Sequence, residues 1–253
     1  MSNELILAIS GNDIFSGGGL HADLATYTTN KQHGFVAVTC LTAMTEHGFE
    51  VIPVDPTTFA QQLNSLKDVP FSAIKLGLLP NVEVADLALD YVKAHAGIPV
   101  VLDPVLVCKE THDVEVSALR DELIKFFSYV TIITPNLPEA EILTQSKIQS
   151  LDDMKEAARK LHELGAATVV VKGGNRLNKE KAIDVFYDGQ DFTVFEEDVL
   201  EKNNTGAGCT FASSIASQLV QGKATLEAVK ASKAFVYQAI QKSDQYGVVQ
   251  YDQ

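Results

Sequence analysis

The sequence has few cysteines and no long apolar run. Its three cysteines, Cys40, Cys108 and Cys209, form no Cys-x-x-Cys pattern, and their odd number fits a reducing cytoplasm. The six histidines show no metal-ligand spacing with them, so we predict no zinc site. No apolar segment is long enough to span a bilayer, and residues 1–10 lack the basic segment of a signal peptide. These absences predict a cytoplasmic protein with no membrane partner.

Positive charge is also scarce. Lys and Arg number 20 against 33 Asp and Glu, which gives a net charge of −13. Because Lys and Arg surfaces bind nucleic acid backbones, this balance argues against a nucleic acid partner. It does not exclude ATP, which needs only a local cationic pocket and Mg²⁺. The acidity is equally explained by solubility.

Strands and helices alternate along the chain. The hydrophobic fraction of 46% supplies a core, and no linker-like composition divides residues 1–253, so we predict one α/β domain. Several predicted strands are apolar throughout, which indicates a mainly parallel sheet covered on both faces. The predicted strands include Leu5–Ile9, Phe35–Leu41, Ala73–Leu76, Pro99–Leu102, Val130–Ile133, Thr168–Val171 and a hairpin around Asp188-Gly189. The predicted helices include Val82–Ala94, Val116–Phe127 and one that Ser150 caps and that runs to Leu164.

Polar and flexible residues directly follow several predicted strands. They are Asp103, Asn136, Lys172 and Gly173-Gly174, together with the glycine-rich residues 11–19 after the first strand. In parallel α/β sheets, ligands bind at the carboxyl ends of the strands. We therefore expect these residues to gather along one edge of the sheet.

A second glycine-rich stretch, Asn203-Asn-Thr-Gly-Ala-Gly-Cys-Thr-Phe211, precedes a run that is apolar at helical spacing. Gly206 and Gly208 would let the backbone approach a ligand, and the N–H groups and dipole of the helix start would bind an anion. Cys209 sits just inside this start, which we expect to push its thiol toward thiolate. The stretch predicts phosphoryl transfer, although taken alone it also fits a helix cap that binds nothing.

Six short segments occur in a characteristic order. They are Gly11-x-Asp13…Gly17-x-Gly19-x-x-Ala22-Asp23, Lys75-Leu-Gly77, Leu102-Asp-Pro-Val105, Thr134-Pro-Asn-Leu-Pro-Glu139, Val171-Lys-Gly-Gly174 and Gly206-Ala-Gly-Cys-Thr210. Together, over nearly the whole chain, they resemble the ribokinase-superfamily vitamin kinases, close to the hydroxymethylpyrimidine (phosphate) kinases. The resemblance implies a ribokinase-like three-layer αβα sandwich with a mainly parallel central sheet and a small lid. It also implies ATP and Mg²⁺ as cofactors, a vitamin substrate and a homodimer.

The resemblance gives roles to residues on the phosphate side. The anion hole would stabilise charge on the transferred phosphoryl group, and its members would be Thr205, Gly206, Ala207, Gly208 and the Cys209 N–H. Cys209 would take the proton from the substrate hydroxyl. Asn136 and Glu139 would organise Mg²⁺ and phosphates, with Asp103 and Glu139 reaching the metal through water. Further nucleotide and phosphate contacts would come from Asp103, Lys109, Lys172 and Gly174.

On the substrate side, the resemblance implies that Asp23 binds the polar edge of the vitamin ring. The neighbouring substrate-binding residues would be Gly11, Met44, Leu78 and Val107. Plainer interpretations exist for some of these residues. Asp23 would also fit a hydrogen bond within its own helix, and Asn136–Glu139 an ordinary helix start. Lys172 would also fit a structural role, and Cys40 is most simply a core residue.

Two positions bear on which vitamin is the substrate. Hydroxymethylpyrimidine kinases usually have Gln or Glu where this chain has Met44, and a small residue where it has Cys108. A cysteine before the lid-like residues 110–113, paired with Cys209, is typical of a pyridoxal-kinase subgroup, and its thiol would add to the aldehyde as a hemithioacetal. We expect pyridoxal phosphorylation, with hydroxymethylpyrimidine phosphorylation as the alternative. A non-catalytic binder is disfavoured, because it has no need of a base beside a phosphate site.

Overall fold

The computed structural model describes residues 4–106 and 113–251. The chain divides into two compact units, the first comprising residues 1–103 and 202–253 and the second Pro104–Glu201. The single domain over residues 1–253 stays a prediction. Val107, Cys108 and Lys109, and residues 110–112 of the predicted lid, lie outside the described residues. Within the described ranges, no helix is long and apolar enough to cross a membrane.

The first unit begins with five strands and three helices. They are β1 (Leu5–Asn12), α1 (Gly19–Thr29), β2 (His33–Thr45), β3 (Gly48–Pro53), α2 (Pro56–Ser65), β4 (Ala73–Leu76), α3 (Val82–Ala94) and β5 (Val100–Leu102). Their strand order is β3-β2-β1-β4-β5. β1 pairs in parallel with β2 and β4, and β4 with β5, whereas β2 and β3 are antiparallel. The predicted strand Ala73–Leu76 and the predicted helix Val82–Ala94 match β4 and α3 residue for residue.

The second unit contains three helices, a short 3-10 helix and four strands. They are α4 (Asp113–Ile124), the 3-10 helix Phe127–Tyr129, β6 (Ile132–Ile133), α5 (Leu137–Thr144), α6 (Leu151–Glu163), β7 (Val169–Lys172), β8 (Lys181–Tyr187) and β9 (Phe192–Asp198). The strand order is β6-β7-β8-β9, with β6 and β7 parallel. β8 and β9 form the predicted antiparallel hairpin, and the Asp188 carboxylate accepts from the backbone of Gln190 and Asp191 in its turn.

Two further helices, α7 (Ala207–Val220) and α8 (Thr225–Gln241), return to the first unit. α7 packs against α1, α8, β4 and β5. Small residues such as Ala212, Ser213 and Ala216 line its buried surface and let it approach these neighbours closely. The predicted α/β fold with a mainly parallel sheet is confirmed.

The core strands of the first unit bring three loops to one edge. Residues 6–9 of β1 are fully buried, and burying each large apolar side chain contributes about 1.5–3 kcal/mol. Just beyond β4 and β5, Gly77 N donates to the Ile9 carbonyl (2.9 Å) and Asp103 N donates to the Leu76 carbonyl (2.9 Å). The segments that follow β1, β4 and β5 therefore lie side by side, as predicted for the carboxyl ends of parallel strands.

Candidate active site

Three loops of the first unit meet at the start of α7. They are the first glycine loop (residues 13–19), the second glycine loop (residues 203–208) and the C-terminal loop (residues 244–248). A Cβ on Gly206 would lie 1.6 Å from the carbonyl oxygen of Gly17, and one on Gly17 would lie 2.4 Å from that of Tyr246. Val248 N donates to the Thr205 carbonyl at 3.0 Å. The two glycine-rich stretches thus form one structure, which leaves no space for a side chain at the contact.

Asp13 holds the first glycine loop in place. Its Oδ2 accepts from Gly18 N at 2.9 Å, and its Oδ1 accepts from Phe15 N at 3.0 Å. Ile14 N donates to the Thr42 hydroxyl at 2.9 Å, which attaches the loop to β2. Asp13 belongs to the first of the six segments, but no role was predicted for it. The signal was an aspartate just before a glycine-rich turn, where its side chain readily accepts from nearby N–H groups.

The start of α7 is open to an anion. Its N-cap is Gly206, with φ of +83°. No side chain caps the helix, and its first turn contains no acidic residue. Because the first N–H groups of a helix have no intrahelical acceptor, they remain suited to a bound anion here. The predicted anion-hole residues Thr205, Gly206, Ala207 and Gly208 all lie at this start, and none is buried. Their role stays a prediction, and the backbone geometry is compatible with it.

Cys209 is the third residue of α7 and is half-buried. A Cβ on Gly18 would lie 3.7 Å from its Sγ, so the first glycine loop adjoins the thiol. Burial raises the pKa of the thiol to about 11, while the charge of Lys75 opposes this rise and those of Asp23 and Asp103 add to it. The prediction that this thiol is more acidic than usual is wrong, because burial disfavours its charged form and raises its pKa.

A buried ion pair lies in the same region. Lys75 Nζ donates to Asp23 Oδ1 at 2.8 Å and to Oδ2 at 3.0 Å, and both side chains are 0% exposed. The Ser213 hydroxyl donates to Asp23 Oδ1 at 2.5 Å. Burial opposes the charge on Lys75, but the Asp23 carboxylate, with Cys209 and Asp103, outweighs it and raises the Lys75 pKa. α1, β4 and α7 are therefore joined by one enclosed polar cluster, which we call the Lys75 cluster (Asp23, Lys75 and Ser213).

This arrangement bears on the predicted substrate contact of Asp23. Its carboxylate has three hydrogen bonds within the protein and no exposed surface. The plainer interpretation, a hydrogen bond within its own helix, does not describe these bonds either, because both partners come from other elements. Contact with the vitamin ring stays a prediction, and it would require the Lys75 cluster to open.

Other predicted substrate residues lie together in the first unit. A Cβ on Gly11 would lie 3.6 Å from Leu78 Cδ2 and 2.5 Å from Cys40 Sγ, so these three residues adjoin. Cys40 is fully buried, in agreement with a core residue. Met44 is exposed and lies four residues farther along β2, on the same strand face as Cys40. Val107 lies outside the described residues.

The second unit contains four of the predicted nucleotide-side residues, Asn136, Glu139, Lys172 and Gly174. The Asn136 side chain accepts from Glu139 N at 3.0 Å, and Glu139 Oε2 accepts from Asn136 N at 2.8 Å, which makes a complete capping box for α5. Lys172 N donates to the Pro135 carbonyl at 2.8 Å, so the ends of β6 and β7 adjoin. The helix-start interpretation of Asn136 and Glu139 is therefore correct as local structure. Their predicted contact with Mg²⁺ and phosphates is a separate question.

Beyond Lys172, the chain makes a glycine turn. Gly173 N donates to Asp184 Oδ1 at 3.0 Å, and Gly174 has φ of +53° with open space where a Cβ would point. Asp184 on β8 is a buried acid that the sequence analysis missed. Within the described ranges, no group of three or more His, Cys, Asp or Glu side chains is arranged to hold a metal ion.

Comparisons with known proteins identify the family of this chain. The family profile "Phosphomethylpyrimidine kinase" matches residues 13–252. The pyridoxine kinase of Bacillus subtilis is 39% identical over 253 aligned residues, which cover 96% of this chain and 92% of that protein. The hydroxymethylpyrimidine/phosphomethylpyrimidine kinase of Aquifex aeolicus is 35% identical over 250 residues, 96% of each chain.

A solved structure of Staphylococcus aureus pyridoxal kinase in complex with AMP-PCP matches with a TM-score of 0.91 and 34% identity, covering 99% of this chain and 94% of that one. The fold and the site thus define an ATP-dependent vitamin kinase of the ribokinase-like type. The chain belongs to the phosphomethylpyrimidine kinase family.

Proposed function

We propose that this protein is an ATP-dependent kinase that phosphorylates the 5′-hydroxymethyl group of pyridoxal, and also that of pyridoxine and pyridoxamine. The observation that carries the proposal is Cys209 at the third residue of α7, at a helix start that no side chain caps. The relatives support it, because one is a pyridoxine kinase and a solved relative holds AMP-PCP together with pyridoxal. The protein is accordingly a phosphotransferase with an alcohol acceptor.

The site residues divide the reaction between them. The N–H groups at the start of α7 hold negative charge on the transferred phosphoryl group. The hydroxyl oxygen of the vitamin attacks the γ-phosphorus of ATP, the bond from that phosphorus to the bridging oxygen breaks, and ADP leaves. The hydroxyl proton passes to Sγ of Cys209. Gly17 and Gly18 adjoin this place and carry no side chain that would obstruct the approach.

The thiol of Cys209 is a base only in its ionised form. With its pKa raised to about 11 by burial, about one thiol in a thousand is ionised at pH 8. A base of high pKa is a strong proton acceptor, which offsets part of this loss. The proposal therefore implies a turnover that rises as the pH is raised above neutrality.

Mg²⁺ is the proposed metal. Asp103 and Glu139 supply carboxylate oxygens, which suit this ion, and both are mostly buried, with 3% and 4% of their surfaces exposed. They would hold it through water, as Mg²⁺ retains several waters in nucleotide sites. When bound, the ion neutralises charge on the phosphates. The proposed nucleotide contacts are Lys172, Gly174 and Asn136, and the proposed phosphate contact is Lys109.

A homodimer is proposed as the assembly. β3 is an edge strand, and large apolar side chains on β2 and β3 remain exposed, with Leu41 opposite Ile52 and Met44 opposite Phe49. An exposed apolar edge of this kind favours association with another chain. Light scattering after size exclusion would give the mass in solution. A monomer at micromolar concentration would contradict this assembly.

The alternative function is phosphorylation of hydroxymethylpyrimidine or its phosphate. The Aquifex relative favours it as a specific observation, since it is 35% identical over 96% of this chain. ADP release should be measured with pyridoxal, pyridoxine and hydroxymethylpyrimidine in parallel. We expect kcat/KM to be highest for pyridoxal. A higher value for hydroxymethylpyrimidine would replace the proposal by the alternative, and no turnover with any of them would favour a binding protein.

Cys108→Ala separates the vitamers further. If the Cys108 thiol adds to the aldehyde and positions the ring, its loss should reduce kcat/KM for pyridoxal about tenfold or more and leave that for pyridoxine nearly unchanged. Equal losses for both vitamers, or none, would remove Cys108 from the site. Cys40→Ala is the matched control, because Cys40 is fully buried and should affect both vitamers alike.

A further inference from the structure

The Lys75 cluster has no part in the reaction as described above. In the described ranges, Lys75 is the one lysine classed as buried, and it is 0% exposed, as is its partner Asp23. Enclosing two charges costs hydration energy, and apolar pairs of similar volume are often equally stable in such places. Stability alone therefore does not explain why a charged pair occupies this position.

The cluster lies one helical turn below Cys209. Ser213 follows Cys209 by four residues on α7, so the two side chains project from the same face, with their Cβ atoms about 5–6 Å apart. The Ser213 hydroxyl donates to Asp23 Oδ1, the oxygen that Lys75 Nζ also contacts. The ammonium group is thus linked, through Asp23, to a residue one helical turn from the thiol.

Lys75 also extends toward the edge of the sheet where α7 begins. Its Nζ would lie 2.8 Å from a Cβ placed on Gly77, two residues farther along the chain, and the Ser10 hydroxyl would lie 2.2 Å from it. The side chain therefore points along β4 toward the carboxyl end of the strand. Any larger residue at position 77 would displace the ammonium group from this place.

We propose that Lys75 is a positioning residue for the transfer step, whose enclosed ammonium group stabilises the thiolate form of Cys209. Asp23 moderates this effect and holds the ammonium group in place. The proposal rests on the proposed function, in which Cys209 is the base. It explains why a charged pair, and not an apolar one, lies beneath α7.

The groups that face Cys209 support this assignment. Asp23 and Tyr27 lie on α1, and Asp103 follows β5. A Cβ on Gly18 would lie 3.7 Å from Asp13 Oδ2 in the first glycine loop and 3.7 Å from Cys209 Sγ. The three carboxylates disfavour a thiolate, and burial raises the pKa of Tyr27, which keeps it neutral. Lys75 supplies the positive charge among these groups, and its effect on the thiol exceeds that of Asp23.

The test measures the thiolate without the kinase reaction. Cys209 is alkylated with iodoacetamide, in which the thiolate displaces iodide, and the rate is followed from pH 7 to 9 by peptide mass. A Cys108→Ala background leaves Cys40, which is fully buried, and Cys209 as the thiols. Lys75→Gln should slow the alkylation of Cys209 about tenfold, because removing a neighbouring cation raises a thiol pKa by one unit or more. Asp23→Asn should accelerate it, by about threefold, since Asp103 also favours the charge on Lys75.

A double variant and surface controls complete the test. Lys75→Gln with Asp23→Asn keeps a hydrogen-bonding pair without charge, and its alkylation should be slower than in the native protein but faster than in Lys75→Gln. If either single variant does not fold, this double variant decides. Lys67→Gln and Asp68→Asn change the same charges at exposed positions and should leave the rate unchanged.

Slower alkylation in Lys75→Gln and faster alkylation in Asp23→Asn would support the proposal. The pH dependence of kcat should shift to higher pH in Lys75→Gln and to lower pH in Asp23→Asn. Alkylation rates that change equally or in the same direction in both variants would overturn it, as would a double variant that reacts as fast as the native protein. A purely structural cluster would not lower the thiol reactivity in one variant and raise it in the other. Failure of the proposed function is distinguishable. If the alkylation rates shift as expected but no vitamin is phosphorylated, Lys75 controls the thiol in a protein with another activity.

Discussion

The starts of α7 and α5 differ in how their backbone N–H groups are satisfied. Both are helix starts in a glycine- or proline-containing loop, and both carry a functional candidate at the third helical residue, Cys209 in α7 and Glu139 in α5. In α5, the N-cap Asn136 and Glu139 satisfy each other's backbone N–H groups. In α7, the N-cap is a glycine without a side chain, and the first turn carries no acid.

The two helix starts therefore attract different charges. A helix start carries about half a positive charge, and in α5 the chain neutralises it with its own carboxylate. An anion would be repelled there, whereas a hydrated cation would be attracted. In α7, the same partial charge remains available for a phosphate. Two loops that each lead from a strand into a helix thus differ in the charge that they favour.

Replacing the third residue of α7 should have the largest effect. Cys209→Ala keeps the open helix start and removes the proton acceptor, so we expect turnover to fall about 10²–10⁴-fold. ATP affinity, measured by calorimetry, should change little. Near-native turnover in this variant would mean that the thiol is not the base.

Closing the start of α7 with a charge should have the next largest effect. Ala207→Asp makes this start resemble that of α5, so it should stabilise the helix by about 0.3–1 kcal/mol. The same charge should repel the phosphates and reduce turnover about 100-fold, in the range of losing one donor of an anion hole. Thr225→Asp at the first residue of α8 is the matched control, with native kinetics expected. Unchanged kinetics in Ala207→Asp would show that no phosphate binds at α7.

Removing the charge at the start of α5 should have a smaller effect. Glu139→Gln can still accept from Asn136 N, so the helix cap is retained, but the carboxylate is lost. We expect the Mg²⁺ concentration for half-maximal rate to rise about tenfold, the lower range for a residue that orients a metal. Asp153→Asn in α6 is the matched control, because its carboxylate likewise caps a helix start and accepts from Gln149 N. Equal Mg²⁺ dependence in both variants would leave Glu139 as a cap alone.

The smallest expected effect concerns stability at alkaline pH. Burial raises the pKa of the Cys209 thiol from 9.0 to about 11, so the folded state holds this proton more tightly than the unfolded chain. The resulting stabilisation is complete below pH 9 and is lost as the pH rises toward 11. Urea midpoints at pH 8 and 10.5 should therefore differ more for the native protein than for Cys209→Ala. An equal difference in both would contradict a raised pKa.

Much of the fold could be predicted because its signals are local. β4 is a short segment with three apolar residues and α3 repeats apolar residues at helical spacing, and both were predicted at their observed bounds. Boundaries were less accurate where tertiary contacts decide them. The helix predicted at Val116–Phe127 is α4 at Asp113–Ile124, with a separate 3-10 helix at Phe127–Tyr129. The strand predicted from Val130 is reduced to Ile132–Ile133.

The residues of the candidate site could be predicted from the sequence, but the contacts between them could not. The glycine stretches and the polar residues after strands were visible, since each is a local pattern. The pairing of Asp23 with Lys75 depends on contact between a helix and a strand distant in sequence, and no local pattern reveals it. The raised pKa of Cys209 was missed for the same reason, because burial arises from surrounding loops that the sequence does not place.

The contact of Gly17 with Gly206 and Tyr246 has a consequence for how the enzyme matures. The partners Gly206 and Tyr246 lie far from Gly17 along the chain, and contacts between residues distant in sequence form slowly. During synthesis, β1 and α1 emerge long before Gly206 and Tyr246. The chain therefore completes this contact between loops only after residue 246 has been made.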